Sequence, residues 1–73
     1  MQSQTQRQYP LGAARISRVC ELTATSPATI WRRIKSDPTF PQPFKLSPGI
    51  TAWDEGEVLD WLEAKKLAGR ARV

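Results

Sequence analysis

From Ser17 to Lys66 the spacing of apolar positions changes several times, and each change marks an element. Val19 and Leu22 stand three apart behind Ser17, whose hydroxyl is placed to cap a short helix ending near Thr23, with Arg18 and Glu21 turned to water. Ala24-Thr25 then reads as a turn. Ser26 offers another capping hydroxyl, and Pro27 suits the first helical position because the N–H it lacks has no intrahelical partner there. Ile30 and Ile34, one turn apart, set the inner side of this second helix, with Trp31 expected beside them in the core. Asp37-Pro38 stops the helix after Ser36, since a residue before proline is pushed out of the helical region.

Beyond this point the helical period is lost. Phe40-Pro41-Gln42-Pro43-Phe44 is too proline-dense for anything but an extended connection, with the two phenylalanines packing down as a clamp. Lys45-Leu46 and Thr51-Ala52-Trp53 flank Ser47-Pro48-Gly49-Ile50, which predicts a small hairpin that serves as a wing. Asp54-Glu55-Gly56-Glu57 has the form of a capping box with its acids in the first turn, where the helix dipole favours them. Val58, Leu59, Trp61 and Leu62 return to helical spacing, and Gly69 is the expected stop. Trp31, Trp53 and Trp61 are all assigned to the core, because a small domain needs large apolar side chains to fold.

The expected fold is therefore mostly α with a small β-hairpin wing, a winged helix-turn-helix with three helices. Residues 1–10, polar and Gln-rich, are expected to form a disordered or loosely attached arm. Residues 11–68 form the domain, and 69–73 a short basic tail. At 73 residues the chain has room for one domain and none for a catalytic cleft with its scaffold.

Charge sharpens this picture because it is partitioned. Residues 1–53 carry Arg7, Arg15, Arg18, Arg32, Arg33, Lys35 and Lys45 against Glu21 and Asp37, a balance of +5, whereas 54–66 has a balance of −3 and Arg70 and Arg72 follow. Such asymmetry points one face toward a polyanion. With no histidine and with Cys20 as the single cysteine, a Cys/His zinc site and an intrachain disulfide are both excluded, and no cofactor is expected. Cys20 reads as core filler, and neither a catalytic pair nor a Gly-rich phosphate loop is present, so an enzyme is not expected. No apolar run reaches the roughly 18 residues of a membrane span and the first residues lack a signal peptide's apolar stretch, so a cytoplasmic protein is expected.

The candidate chemistry lies on the second helix. With Ile30 and Ile34 inside, Ala28, Thr29, Arg32, Arg33 and Ser36 spread round the remainder, an object that a duplex major groove accepts. Ser26 and Thr29 can offer a phosphate their hydroxyls together with the helix's free N–H groups. Arg32 and Arg33 carry planar forks, one able to pair with guanine O6 and N7 while the other neutralises phosphate, and wheel geometry favours Arg32 for the base. Lys35 and Lys45 suit phosphate. The candidate DNA-binding set is thus Ser26, Ala28, Thr29, Arg32, Arg33, Lys35 and Lys45. Another possibility is a protein-interaction module acting through the acidic third helix.

The order Val19-Cys20-Glu21-Leu22-Thr23, Ser26-Pro27-Ala28-Thr29-Ile30-Trp31-Arg32, Phe40-Pro41-Gln42-Pro43-Phe44-Lys45-Leu46, Ala52-Trp53 and Val58-Leu59-Asp60-Trp61-Leu62 closely resembles the AlpA-like phage regulatory proteins, small relatives of MerR-type winged helix-turn-helix proteins and phage excisionases. The resemblance implies a reading helix from Ser26 to Ser36 in the major groove and a wing from Lys45 to Thr51 near the backbone or minor groove. Relatives often place arginine in the wing turn, where this chain has Gly49 and Ile50, which leaves Lys45 as the wing's phosphate contact. It also implies a transcriptional regulator of a mobile element or, alternatively, an excision factor that binds and bends attachment-site DNA. Expected partners are double-stranded DNA and an integrase or RNA polymerase. No long heptad follows the third helix, so a monomer that multimerises on DNA is expected.

Overall fold

Three helices and three short strands arise where local signals and apolar spacing agree, and a computed structural model describes them over residues 12–71. The expected N-terminal arm, and Arg72 of the expected tail, lie outside the described residues. The elements run β1 (Ala13–Ala14), α1 (Ile16–Thr23), α2 (Pro27–Ser36), β2 (Phe44–Ser47), β3 (Ile50–Asp54) and α3 (Glu55–Ala71). The hairpin of β2 and β3 turns at Pro48-Gly49, where Gly49 has φ +78, a left-handed value that glycine adopts without a steric penalty. The three helices and this antiparallel hairpin make a winged helix-turn-helix.

β3 is the central strand of an antiparallel sheet ordered β1-β3-β2. Ala14 pairs with Trp53 on one side and Phe44 with Ala52 on the other. β1 was not legible in the chain: two alanines carry no strand period, and only pairing with β3 makes them one. Its neighbour Gly12 accepts the Glu55 N–H at 2.8 Å, tying the start of the described chain to the start of α3.

Ala14, Val19, Ile30, Phe40, Trp53, Val58 and Trp61 form the buried core, with Ile16, Cys20, Leu22, Ile34 and Leu62 packed against it. Trp53 is fully enclosed, and Phe40 meets the Trp61 ring edge-to-face at 4.9 Å. Two of the three tryptophans are thus core residues. Trp31 is not: it is 44% exposed, because Ile30 and Ile34 already occupy the inward line of α2 and leave its ring to lean on Trp53 from outside, 5.4 Å away. Nor do the phenylalanines form a clamp. Phe40 is buried, whereas Phe44 lies on the edge strand and is 42% exposed.

Helix ends follow the local chemistry with two corrections. α1 is capped at Arg15 and not at Ser17, because Ile16 packs on the core and draws the first turn two residues back; no side chain caps it, and the Arg15 carbonyl accepts the Val19 N–H at 3.1 Å. α3 passes through the expected stop at Gly69 to Ala71. A single glycine costs a helix only about 1 kcal/mol relative to alanine, and Ala68, Arg70 and Ala71 around it are strong helix formers. The Asp54 cap of α3 holds, its carboxylate accepting the Glu57 N–H at 3.1 Å.

Trp61 links the elements beyond the core. Its Nε1 donates to Thr39 Oγ1 at 3.2 Å, and Thr39 Oγ1 donates in turn to Asp37 Oδ1 at 2.6 Å, with the Thr39 N–H on the same oxygen at 2.9 Å. Lys65 reaches the other Asp37 oxygen at 3.8 Å. The two Thr39 hydrogen bonds, then Lys65, hold the Asp37 carboxyl below its ordinary value.

Two outcomes follow. Trp53→Ala is expected to lower unfolding free energy by about 3–5 kcal/mol, while Trp31→Ala costs far less; urea denaturation measures both, and equal losses would contradict the exposed placement of Trp31. Asp37 has a lower pKa folded than unfolded, so its contribution is complete above about pH 4 and disappears as acid protonates it in the folded state. Asp37→Asn should therefore flatten the stability profile below about pH 4, and an unchanged acid limb would refute the assignment.

Candidate nucleic-acid interface

α2 is held at both ends by backbone and hydroxyl contacts, which fixes what it can present. At its start Ser26 is extended, and its Oγ accepts the Thr29 N–H at 3.3 Å, with Pro27 in the first turn. The turn before it is tight. Ala24 takes a left-handed conformation, φ 57, so that its own N–H and that of Thr25 both reach the Cys20 carbonyl. Thr23 and Thr25 join hydroxyls across this turn at 2.8 Å, and Thr23 Oγ1 also donates to the Val19 carbonyl at 2.9 Å. At the far end the Asp37 N–H donates to the Arg33 carbonyl at 2.8 Å before the chain turns away. α1, this turn and α2 form the helix-turn-helix.

Ala28, Trp31, Arg32 and Lys35 are exposed at i, i+3, i+4 and i+7, a continuous outward stripe. Ser26, Thr29 and Arg32 come together on one flank of it: Ser26 Oγ and Thr29 Oγ1 are 3.2 Å apart, and Arg32 Nη2 donates to Thr29 Oγ1 at 3.2 Å. This chain of hydroxyls steadies a guanidinium that leaves most of its donors facing outward. Arg33 stands elsewhere. It is half-buried, its guanidinium lies 5.1 Å over the Trp61 ring, and its Nε has no hydrogen-bond partner among the described residues. Lys45 is exposed on β2, apart from the stripe.

The electrostatics divide the molecule. Arg18 lies 3.4 Å from both Glu21 and Glu55, and these carboxylates raise its pKa further, the hydrogen bond to Glu55 foremost. Lys65 pairs with Asp37, and Lys66 with Glu63 at 3.9 Å. Among the described residues no carboxylate pairs with Arg32, Lys35 or Lys45. Arg18 on α1 and Lys65 and Lys66 on α3 are compensated by acids, whereas Arg32, Lys35 and Lys45, like Arg15 and Arg70, have no carboxylate partner among the described residues and are left for an external anion.

Trp31 is the member of the outward stripe that sequence reasoning missed. The available signal was its spacing, three residues after Ala28 and four before Lys35, which competes on the wheel with its nearness to Ile30 and Ile34. Other chemistry is thinly furnished: among the described residues no group of three or more His, Cys, Asp or Glu side chains is placed to hold a metal ion, and no helix is long and apolar enough to cross a membrane.

A family model described as the prophage CP4-57 regulatory protein (AlpA) matches residues 12–67, from the residue before β1 into the second half of α3. No match arises among curated proteins or among solved structures.

The strained turn gives a test of the local geometry. A non-glycine residue in the left-handed region is disfavoured, so Ala24→Gly should stabilise the protein by about 0.5–1 kcal/mol in thermal or urea unfolding. Destabilisation would mean that Ala24 does not adopt φ 57 in solution.

Proposed function

Because the chain belongs to the AlpA family of prophage regulatory proteins, we propose that it is a sequence-specific double-stranded DNA-binding protein that regulates transcription of a mobile element. The observation that carries this reading is the outward stripe of α2, where Arg32 is steadied by Thr29 and neither Arg32 nor Lys35 is matched by a carboxylate among the described residues. A helix anchored by Ile30 on its inner side can lay such a stripe in the major groove.

In this reading Arg32 pairs with guanine O6 and N7, a contact that discriminates by about 1–3 kcal/mol against a wrong base. The Ser26 and Thr29 hydroxyls, with the free N–H groups of the first turn, hold a phosphate and set the register. Ala28 keeps the outward side shallow enough for close approach. Lys35 and, from the wing, Lys45 neutralise phosphates and supply salt-dependent affinity. Arg33 contributes positive potential at the edge while its stacking on Trp61 keeps α2 in place.

The test is a gel-shift titration on duplexes recovered from a randomised library, at two salt concentrations. Arg32→Ala is expected to lose about tenfold or more in affinity and to relax preference at one base position, while Lys45→Ala weakens all sequences alike and lowers the salt slope by about one. Discrete complexes support regulation from single sites, whereas a ladder over adjacent sites supports an excision factor acting with an integrase. Binding that survives charge reversal at Arg32 and Lys35 contradicts the proposal and favours a protein partner on α3.

A further inference from the structure

Resting on the DNA reading of α2, we infer that Trp31 is itself a base-contacting residue, whose indole meets the C5-methyl group of a thymine beside the base pair read by Arg32. Its position is the first reason. Trp31 lies in the outward stripe between Ala28 and Lys35 and immediately before Arg32, so a groove that receives Arg32 also receives the exposed part of the indole.

Anchoring is the second reason. One part of the ring leans on Trp53 at 5.4 Å with the planes at 55°, and Trp53 is itself fully buried. The residue is nonetheless 44% exposed to solvent. An aromatic so held loses little freedom on binding, which is what makes tryptophan and tyrosine effective contact residues. A side chain that served only to close the core would turn its large ring inward, as Trp53 and Phe40 do.

Chemistry selects the ligand. The indole presents an apolar surface, and the apolar feature on the major-groove edge of a base pair is the thymine methyl; the other groups there are hydrogen-bond donors and acceptors. Trp31 thus adds an A·T preference next to the G·C preference of Arg32, and the pair reads a step of mixed composition.

The decisive experiment alters the DNA and leaves the protein intact. In a duplex that wild-type protein selects, each thymine is replaced in turn by deoxyuridine, which removes one methyl group and keeps pairing unchanged. At one position wild-type affinity should fall about fourfold, the cost of exposing a buried methyl. Trp31→Ala should bind the thymine duplex more weakly by about the same factor or more and should no longer distinguish uracil from thymine there, with circular dichroism and thermal unfolding verifying its fold. Trp31→Phe should retain part of the discrimination.

Wild-type binding indifferent to uracil at every position overturns the inference while leaving the DNA reading standing. Equal or tighter binding of single strands through Trp31 also overturns it, since the indole then stacks on unpaired bases. Absence of duplex binding by the wild type overturns both readings.

Discussion

The arrangement depends on where the Trp61 indole is held. It receives the edge of Phe40 at 4.9 Å, carries Arg33 and Lys65 over its ring at 5.1 and 5.5 Å, and donates its N–H to Thr39. Through these contacts one side chain of α3 touches α2, the segment that follows it, and the neighbouring turn of its own helix. A domain of this size has little core to spare, so an aromatic that serves several elements stabilises their mutual orientation as well as their burial. Thr39 and Asp37 extend the chain of hydrogen bonds to the end of α2 and keep the carboxylate charged beside Lys65.

Once Arg33 is committed to Trp61, the outward side of α2 is decided. Ile30 is buried and Ile34 packs on the core, which leaves Ala28, Trp31, Arg32 and Lys35 in solvent. The two adjacent arginines therefore differ in environment although their chemistry is the same: one lies over an aromatic face, the other extends beside a threonine hydroxyl. Arg18, Lys65 and Lys66 are compensated by nearby acids, whereas Arg32 and Lys35 on α2 and Lys45 on the wing have no carboxylate partner among the described residues. Packing and electrostatics single out the same surface.

What the chain reveals without coordinates follows the range of each interaction. Ser26-Pro27, Asp54 with Glu57, and Pro48-Gly49 act within a few residues, so the starts of α2 and α3 and the turn of the wing are readable directly. Features that need a distant partner are not. Ala13-Ala14 becomes a strand only by pairing with Asp54 and Trp53, and α1 begins at Ile16 because the core takes that side chain. Trp31 and Phe44 illustrate the same limit from the other side: both are large and apolar, and what leaves them exposed is that Trp53 and Phe40 already occupy the interior. Gly69 shows that a weak local stop yields to strong helix formers around it. The wheel already favours Arg32 over Arg33 for the exposed side of α2, but that Arg33 lies over an aromatic ring could be known only once Trp61 was placed.

The most direct test of the central claim, that the outward stripe of α2 meets DNA, is a solution NMR titration of isotope-labelled protein with a selected duplex. Amide and side-chain shifts are expected to move in a contiguous set from Ser26 to Lys35 and at Lys45, with intermolecular contacts from the Ala28 methyl and the Arg32 guanidinium to major-groove base protons. Perturbations confined to α3, with α2 unchanged at saturating DNA, would contradict it.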